Sequence, residues 1–168
     1  MAPAPAGSAG AGGVWTWRDG PVAPGPAVLV DIDGVLADAG HRLHFVRQRP
    51  RDWNAFFDAA ADDPPLPAGL RLLEVLDADL VIVLVTGRPA RLRDLTVDWL
   101  ACHGALWDLL AMRPPDDRSA ASNLKRRTLD ALRAAGWEPR LAIDDDEEVV
   151  AAYTRAGLPC FRAGFAPG

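Results

Sequence analysis

The stretch Ala27-Val28-Leu29-Val30-Asp31-Ile32-Asp33-Gly34-Val35-Leu36 constrains this chain more than any other. An apolar run leads into two carboxylates one residue apart, and a glycine follows. Such a run reads as a strand buried on both faces, as in a parallel sheet. Side chains alternate along a strand, so Asp31 and Asp33 start on one side of it. They do so at the carboxyl end, where open α/β sheets bind ligands. Two buried like charges raise each other's pKa unless a cation sits between them. The expected cation is hard and oxygen-liking, Mg2+ first. The competing reading is a strand that closes in a polar Asp-Gly turn. It loses ground because the rest of the chain repeats the pattern.

A second buried strand is expected over 80–85, ending in Thr86-Gly87-Arg88-Pro89. A third, weaker one over 107–112 ends in Arg113-Pro114-Pro115, and a fourth over 141–143 ends in Asp144-Asp145-Asp146. A fifth over 158–161 ends near Arg162. Between them, helical spacing marks 67–76 (Leu70, Leu73, Leu76), 90–102 (Leu92, Leu95, Leu100), 122–135 with Ser122 as candidate cap, and 147–156, stopped by Gly157. Strands alternating with helices imply an α/β fold: a Rossmann-like, about five-stranded parallel sheet with helices on both faces. Right-handed crossovers then gather the strand ends at one edge. That edge collects Asp31, Asp33, Thr86, Arg88, Arg113, Asp144 and Asp145.

The domain is expected over 27–168. Residues 1–26 are rich in Ala, Pro and Gly and read as a flexible tail, within which Trp15 and Trp17 suit a short strand packed on the domain. Residues 37–65 form an insert, expected to be a small helical flap over the carboxyl edge. In it Asp52 is a candidate N-cap, Trp53, Phe56 and Phe57 share a face, and Asp62-Asp63-Pro64-Pro65 ends the helix. Its arginines (Arg42, Arg47, Arg49, Arg51) and aromatics suit a phosphate and a base, since charge plus stacking holds nucleotides and single strands. The same aromatics would equally bury the flap on the core. A small flap leaves the site open, which suits a polymer end or a large substrate, unless a second copy in a homodimer closes it.

Composition adds exclusions. The 168 residues carry a net charge of −5, which argues against coating nucleic acid by charge alone. No apolar run approaches the roughly 20 residues that span a bilayer, so no membrane partner is expected. Cys102 and Cys160 read as isolated buried thiols, which fits a reducing cytoplasm.

Acidic groups from two strands can hold Mg2+. A carboxylate beside that metal can attack phosphorus, and its neighbour two residues on can protonate the leaving alkoxide and later activate water. A hydroxyl and a lysine would neutralise the phosphoryl oxygens. Thr86 is the natural hydroxyl. Lys125 is the only lysine in the chain, which suggests a point charge specifically wanted.

Asp31-Ile32-Asp33-Gly34-Val35, Thr86-Gly87-Arg88, Lys125 and Ile143-Asp144-Asp145 together resemble the four motifs of the haloacid dehalogenase superfamily, in order and each in the expected context. The resemblance implies Asp31 as nucleophile and Asp33 as general acid/base. Thr86 and Lys125 would bind the phosphoryl group. Asp145, with Asp144 beside it, would complete an Mg2+ site with Asp31 and the Asp33 carbonyl. The presence of Asp33 points to a phosphatase. Gly87, Arg88 and Arg113 are the candidate substrate contacts. The second half is similar to the 3′-phosphatase domain of polynucleotide kinase-phosphatases, through Thr86-Gly87-Arg88, Ala111-Met112-Arg113, Asp117-Arg118, Lys125 and Leu141-Ala142-Ile143-Asp144-Asp145. After the paired aspartates this chain carries Asp146, where that family tends to carry arginine. No Gly-Lys-Ser/Thr phosphate loop is present, so no kinase half is expected. The expectation is a phosphatase acting on a nucleotide-type phosphate ester, with a nucleic-acid 3′ end as the close alternative. A non-catalytic phosphate-binding or partner module on the same fold is the reading from another class.

Overall fold

The computed structural model describes residues 13–76 and 78–165. Alternating burial sorts the chain into a central sheet with helices on each face. The strands are β1 (Val14–Trp17), β2 (Pro26–Val30), β3 (Val81–Pro89), β4 (Leu109–Arg113), β5 (Glu138–Asp144) and β6 (Cys160–Arg162). Their order across the sheet is β1-β4-β3-β2-β5-β6. All neighbours pair in parallel except β1, which runs antiparallel to β4 with Trp15 opposite Ala111.

The helices are α1 (His44–Arg47), α2 (Trp53–Asp58), α3 (Pro67–Val75), α4 (Arg93–Cys102), α5 (Ala121–Ala134) and α6 (Glu147–Arg155). Val28 and Val30 of β2 face a core built with Leu73 of α3 and with Trp99 and Leu100 of α4. Ala27 and Leu29 face the other way, onto Leu129 and Leu132 of α5 and Val149 and Tyr153 of α6. Burial on both faces is why β2 reads as an unbroken apolar run. Gly69 marks where α3 meets the turn after β2. A Cβ there would lie 1.7 Å from the Val35 carbonyl oxygen, so only glycine fits.

The Rossmann-like α/β arrangement is the expected one, with three corrections. The sheet has six strands, because the folded unit begins ahead of Ala27: β1 extends the sheet, and Trp17 packs on Trp137 with ring centroids 5.8 Å apart. Of the tail expected over residues 1–26, residues 1–12 lie outside the described residues. Ser122 caps nothing. The α5 helix starts one residue earlier, behind Ala120, with no side-chain cap. The two thiols are not buried. Cys102 is exposed and Cys160 half-buried, because each falls at the end of its element rather than inside it. Asp52 does cap α2, its carboxylate accepting from the Ala55 N–H. No helix among the described residues is long and apolar enough to cross a membrane.

Candidate active site

Each acid at the carboxyl edge is placed by backbone pairing. The Asp31 N–H donates to the Ile143 carbonyl (3.0 Å), which continues the β2–β5 ladder into the first acidic residue. The chain then turns sharply. The Ile32 carbonyl accepts from the Leu36 (2.8 Å) and Ala37 (2.9 Å) N–H groups, and Gly34 sits at φ +87°. A Cβ on Gly34 would lie 2.1 Å from Asp145 Oδ2, so the glycine serves both the turn and the close approach of the second acidic pair.

Asp31, Asp144 and Asp145 each offer a carboxylate oxygen within 4.8 Å of the others. Asp31 and Asp144 are buried and Asp145 is exposed. Lys125 of α5 reaches between the strands: its Nζ lies 2.8 Å from Asp31 Oδ1 and 2.6 Å from Asp144 Oδ2. Burial, aided by the Asp144 and Asp33 charges, holds the Asp31 carboxyl well above its ordinary pKa despite Lys125. Burial and Asp144 likewise raise Asp145. Burial alone would lower Lys125, but the Asp31 and Asp144 charges more than reverse this and its ammonium is retained. Three carboxylates against one ammonium leave the cluster short of positive charge. An all-oxygen, anionic donor set of this kind fits a hard divalent cation.

Asp33 has a different environment. Arg88 Nη2 (2.7 Å) and Arg42 Nη2 (2.6 Å) both donate to its Oδ1. The same two arginines also hold Asp63 Oδ2, at 2.8 Å and 2.7 Å, while Arg42 Nε takes Asp63 Oδ1 at 2.7 Å. Burial works to raise Asp33, but the Arg88 charge and hydrogen bond, with Arg42 and Lys125, outweigh it and hold the carboxyl below its ordinary value. The Asp33 side chain stays 24% exposed while those of Arg42, Arg88 and Asp63 are fully buried.

A cavity of about 540 Å3 opens over these groups. Asp31, Asp33, Gly87, Lys125 and Asp145 line it, with Phe56 and Phe57 of the flap above and the 113–121 loop at the side. Arg113 also lines it, tied down by donating to the Gly87 (3.0 Å) and Ser119 (2.8 Å) carbonyls. Thr86 and Arg88 are fully buried behind it, the Thr86 hydroxyl accepting from the Arg88 N–H at 3.1 Å. Asp144 backs Lys125 from below. Asp146 caps α6 by accepting from the Glu148 N–H.

Sequence reasoning grouped Arg42 with the flap arginines that would meet a ligand. The structure instead buries it against Asp33 and Asp63. Asp63 lies in the Asp-Asp-Pro-Pro helix stop, and nothing in the sequence marks its partners or the pairing of Asp117 with Ser119. Asp117 accepts from the Ser119 hydroxyl (2.6 Å), pairs with Arg127 and lies 3.5 Å from Arg113. An acid just ahead of Pro64-Pro65 and an arginine nine residues after Asp33 are too generic a signal to have been paired from sequence.

A parallel α/β sheet with an Asp-x-Asp, a threonine, a lysine and paired aspartates at its carboxyl edge defines a phosphatase of the haloacid dehalogenase type. More narrowly, residues 25–165 match the family described as the polynucleotide kinase PNKP phosphatase domain, and the chain belongs to that family. No curated protein matches it in sequence. Among solved structures it is similar to a chain of the Pnkp1/Rnl/Hen1 complex, with 25% identity and a TM-score of 0.69, covering 84% of this chain and 46% of that one. The chain thus spans less than half the length of that relative. In fold it also resembles the class C acid phosphatase from Bacillus anthracis with tungstate bound (16% identity, TM-score 0.57, 81% of this chain and 63% of that one). A haloacid dehalogenase-like hydrolase from Streptococcus pneumoniae shares the fold too (13% identity, TM-score 0.58, 84% and 86%).

Proposed function

We propose that the protein is a phosphomonoesterase that works with Mg2+ through an aspartyl-phosphate on Asp31 and removes the phosphate from a nucleic-acid 3′ end. The observation that carries the chemistry is the convergence of Asp31, Asp33, Lys125 and Asp145 on one cavity. Membership of the PNKP phosphatase family supports the 3′ end over a free nucleotide, and the aromatic flap over the cavity suits a base.

Mg2+ would be held by Asp31, Asp145 and the Asp33 carbonyl, with Asp144 beside them, and would supply charge neutralisation for the phosphoryl oxygens. Lys125 adds a fixed positive charge on the Asp31 side. An Asp31 oxygen forms the new bond to phosphorus as the bond to the leaving 3′ oxygen breaks. Asp33 gives that oxygen a proton. Water then attacks phosphorus, Asp33 takes its proton, and the bond to Asp31 breaks. The resting Asp33, held as a carboxylate by Arg88 and Arg42, is suited to the second half. The negative phosphoryl group arriving beside it favours its protonation for the first. Gly87 and Arg113 would meet the substrate from the cavity wall.

The test is phosphate release from a 3′-phosphorylated oligonucleotide, 3′- and 5′-nucleotides and sugar phosphates, with and without Mg2+, beside Asp31→Asn. Mg2+-dependent turnover that is greatest on 3′-phosphates and lost in Asp31→Asn is the expected result. Absence of turnover on every ester sinks the phosphatase reading.

A further inference from the structure

A second cavity, of about 550 Å3, opens beside the first and has no part in the chemistry above. Arg49, Arg51, Gln48 and Asn54 of the flap line it, and Arg118 faces them from the 113–121 loop. Trp53 and Arg118 line both cavities, so the two are contiguous.

Its charge is unusual for this chain. The protein is net acidic at −5. Many of its other arginines have a carboxylate within 4.0 Å, Arg42, Arg88 and Arg127 among them. Arg49, Arg51 and Arg118 are exposed and have no ion-pair or hydrogen-bond partner among the described residues. The acid on the cavity wall, Asp52, is occupied in capping α2 through the Ala55 N–H at 2.9 Å. Three guanidinium groups against that one carboxylate leave the concavity net positive, which favours an anion, and their planar donor forks match phosphate oxygens.

Trp53 supplies the other half of the recognition. Its ring stacks on Phe57 at 6.0 Å and meets Phe56 edge-on at 5.8 Å, so the indole is held in place. It is nonetheless 49% exposed. A fixed, half-exposed indole between an acidic catalytic cavity and a basic neighbour is a stacking platform for a base.

We infer that the Arg49/Arg51/Arg118 cavity is a subsite for the internucleotide phosphate upstream of the 3′ end, with Trp53 stacking on a base between the two sites. The inference rests on the phosphatase reading for the identity of the strand. The two walls of the cavity belong to different elements, flap and loop, so a bound strand bridges them.

The experiment compares Arg49→Ala/Arg51→Ala with wild type in the presence of Mg2+, on a 3′-phosphorylated oligonucleotide of about six nucleotides, a nucleoside 3′-monophosphate and a nucleoside 3′,5′-bisphosphate. Both residues lie outside the catalytic cavity, so the monophosphate serves as the control for an intact fold. Expected is a fall in kcat/KM of roughly tenfold or more on the oligonucleotide and on the bisphosphate, whose 5′-phosphate takes the place of the internucleotide one, but not on the monophosphate, with the salt dependence of oligonucleotide binding shallower by about 0.7 in log–log slope for one lost phosphate contact. An equal fall on oligonucleotide and monophosphate, or no fall on either, overturns the subsite. A fall on the bisphosphate with none on the oligonucleotide overturns the strand in favour of a small bisphosphate. Fluorescence anisotropy of the labelled oligonucleotide separates this inference from the one beneath it. If wild type turns over no ester yet binds the oligonucleotide, and the double variant does not, the subsite stands while the phosphatase reading fails.

Discussion

Arg42 offers the sharpest test of the reading of Asp33. It is fully buried, and its guanidinium donates to Asp33 Oδ1 (2.6 Å), to Asp63 Oδ2 and Oδ1 (2.7 Å each) and to the Phe56 carbonyl (3.3 Å). With Arg88 it balances the two carboxylates, so the four groups sum to zero charge. Arg42→Met keeps much of the volume and removes one charge, leaving two carboxylates to share Arg88, with His41 Nε2 2.8 Å from Asp63 Oδ1. Breaking a buried ion pair by removing one partner costs about 3–5 kcal/mol, a large share of the 5–15 kcal/mol typical of a domain. Urea unfolding at pH 7 should show that loss with an unchanged slope. Arg42→Met/Asp63→Asn, which restores the balance of charge, should lose less than the single variant. The cost should also depend on pH. The Asp33 pKa is lowered in the folded protein, so its stabilising contribution is complete above the unfolded value of about 3.9 and disappears as pH falls through the folded one. The deficit of Arg42→Met should therefore be largest at neutral pH and shrink below about pH 4. A loss under about 1 kcal/mol at pH 7, or one that stays constant down to pH 3, refutes the argument that Arg42 is there to hold Asp33 charged.

Asp31→Asn should keep the far-ultraviolet circular dichroism of wild type and lose about 10³-fold or more in kcat, as removal of a covalent nucleophile does; retention of a tenth of the activity would remove Asp31 from that role. Mg2+ at a hundred times its Kd should stabilise the protein by about 2.7 kcal/mol, read as a rise in Tm that chelation reverses. Without metal, the raised pKa of Asp145 means a contribution that is complete below its unfolded value and lost as pH rises through the folded one. Asp145→Asn should accordingly raise the metal-free Tm at pH 7 and flatten its response to Mg2+, and an unchanged Mg2+ response would take Asp145 out of the site. Gly69→Ala drives a methyl into the Val35 carbonyl oxygen and should cost about 3 kcal/mol or more, measured by thermal unfolding; wild-type stability would mean that α3 sits farther from the turn than described.

The order of elements, the parallel sheet and the edge at which the acids gather were all legible in the sequence. So were Asp31, Asp33, Lys125 and the Asp144-Asp145 pair as a set. Each rests on a local signal: an apolar run, a period, a strand end, a motif in order. The sixth strand was legible only as two alternate tryptophans, because one short edge strand takes its stability from the sheet it joins. What tertiary structure alone decided is the partnership of charges. Arg42 and Asp63 stand 21 positions apart, and Asp33 and Arg88 55 apart. An arginine in an insert carries no local mark telling whether it will be buried on a carboxylate, as Arg42 is, or left exposed beside a cavity, as Arg49 and Arg51 are. That outcome depends on which side chains the folded chain brings within about 4 Å of one another in a low-dielectric interior, a property of the packed whole rather than of any stretch of it.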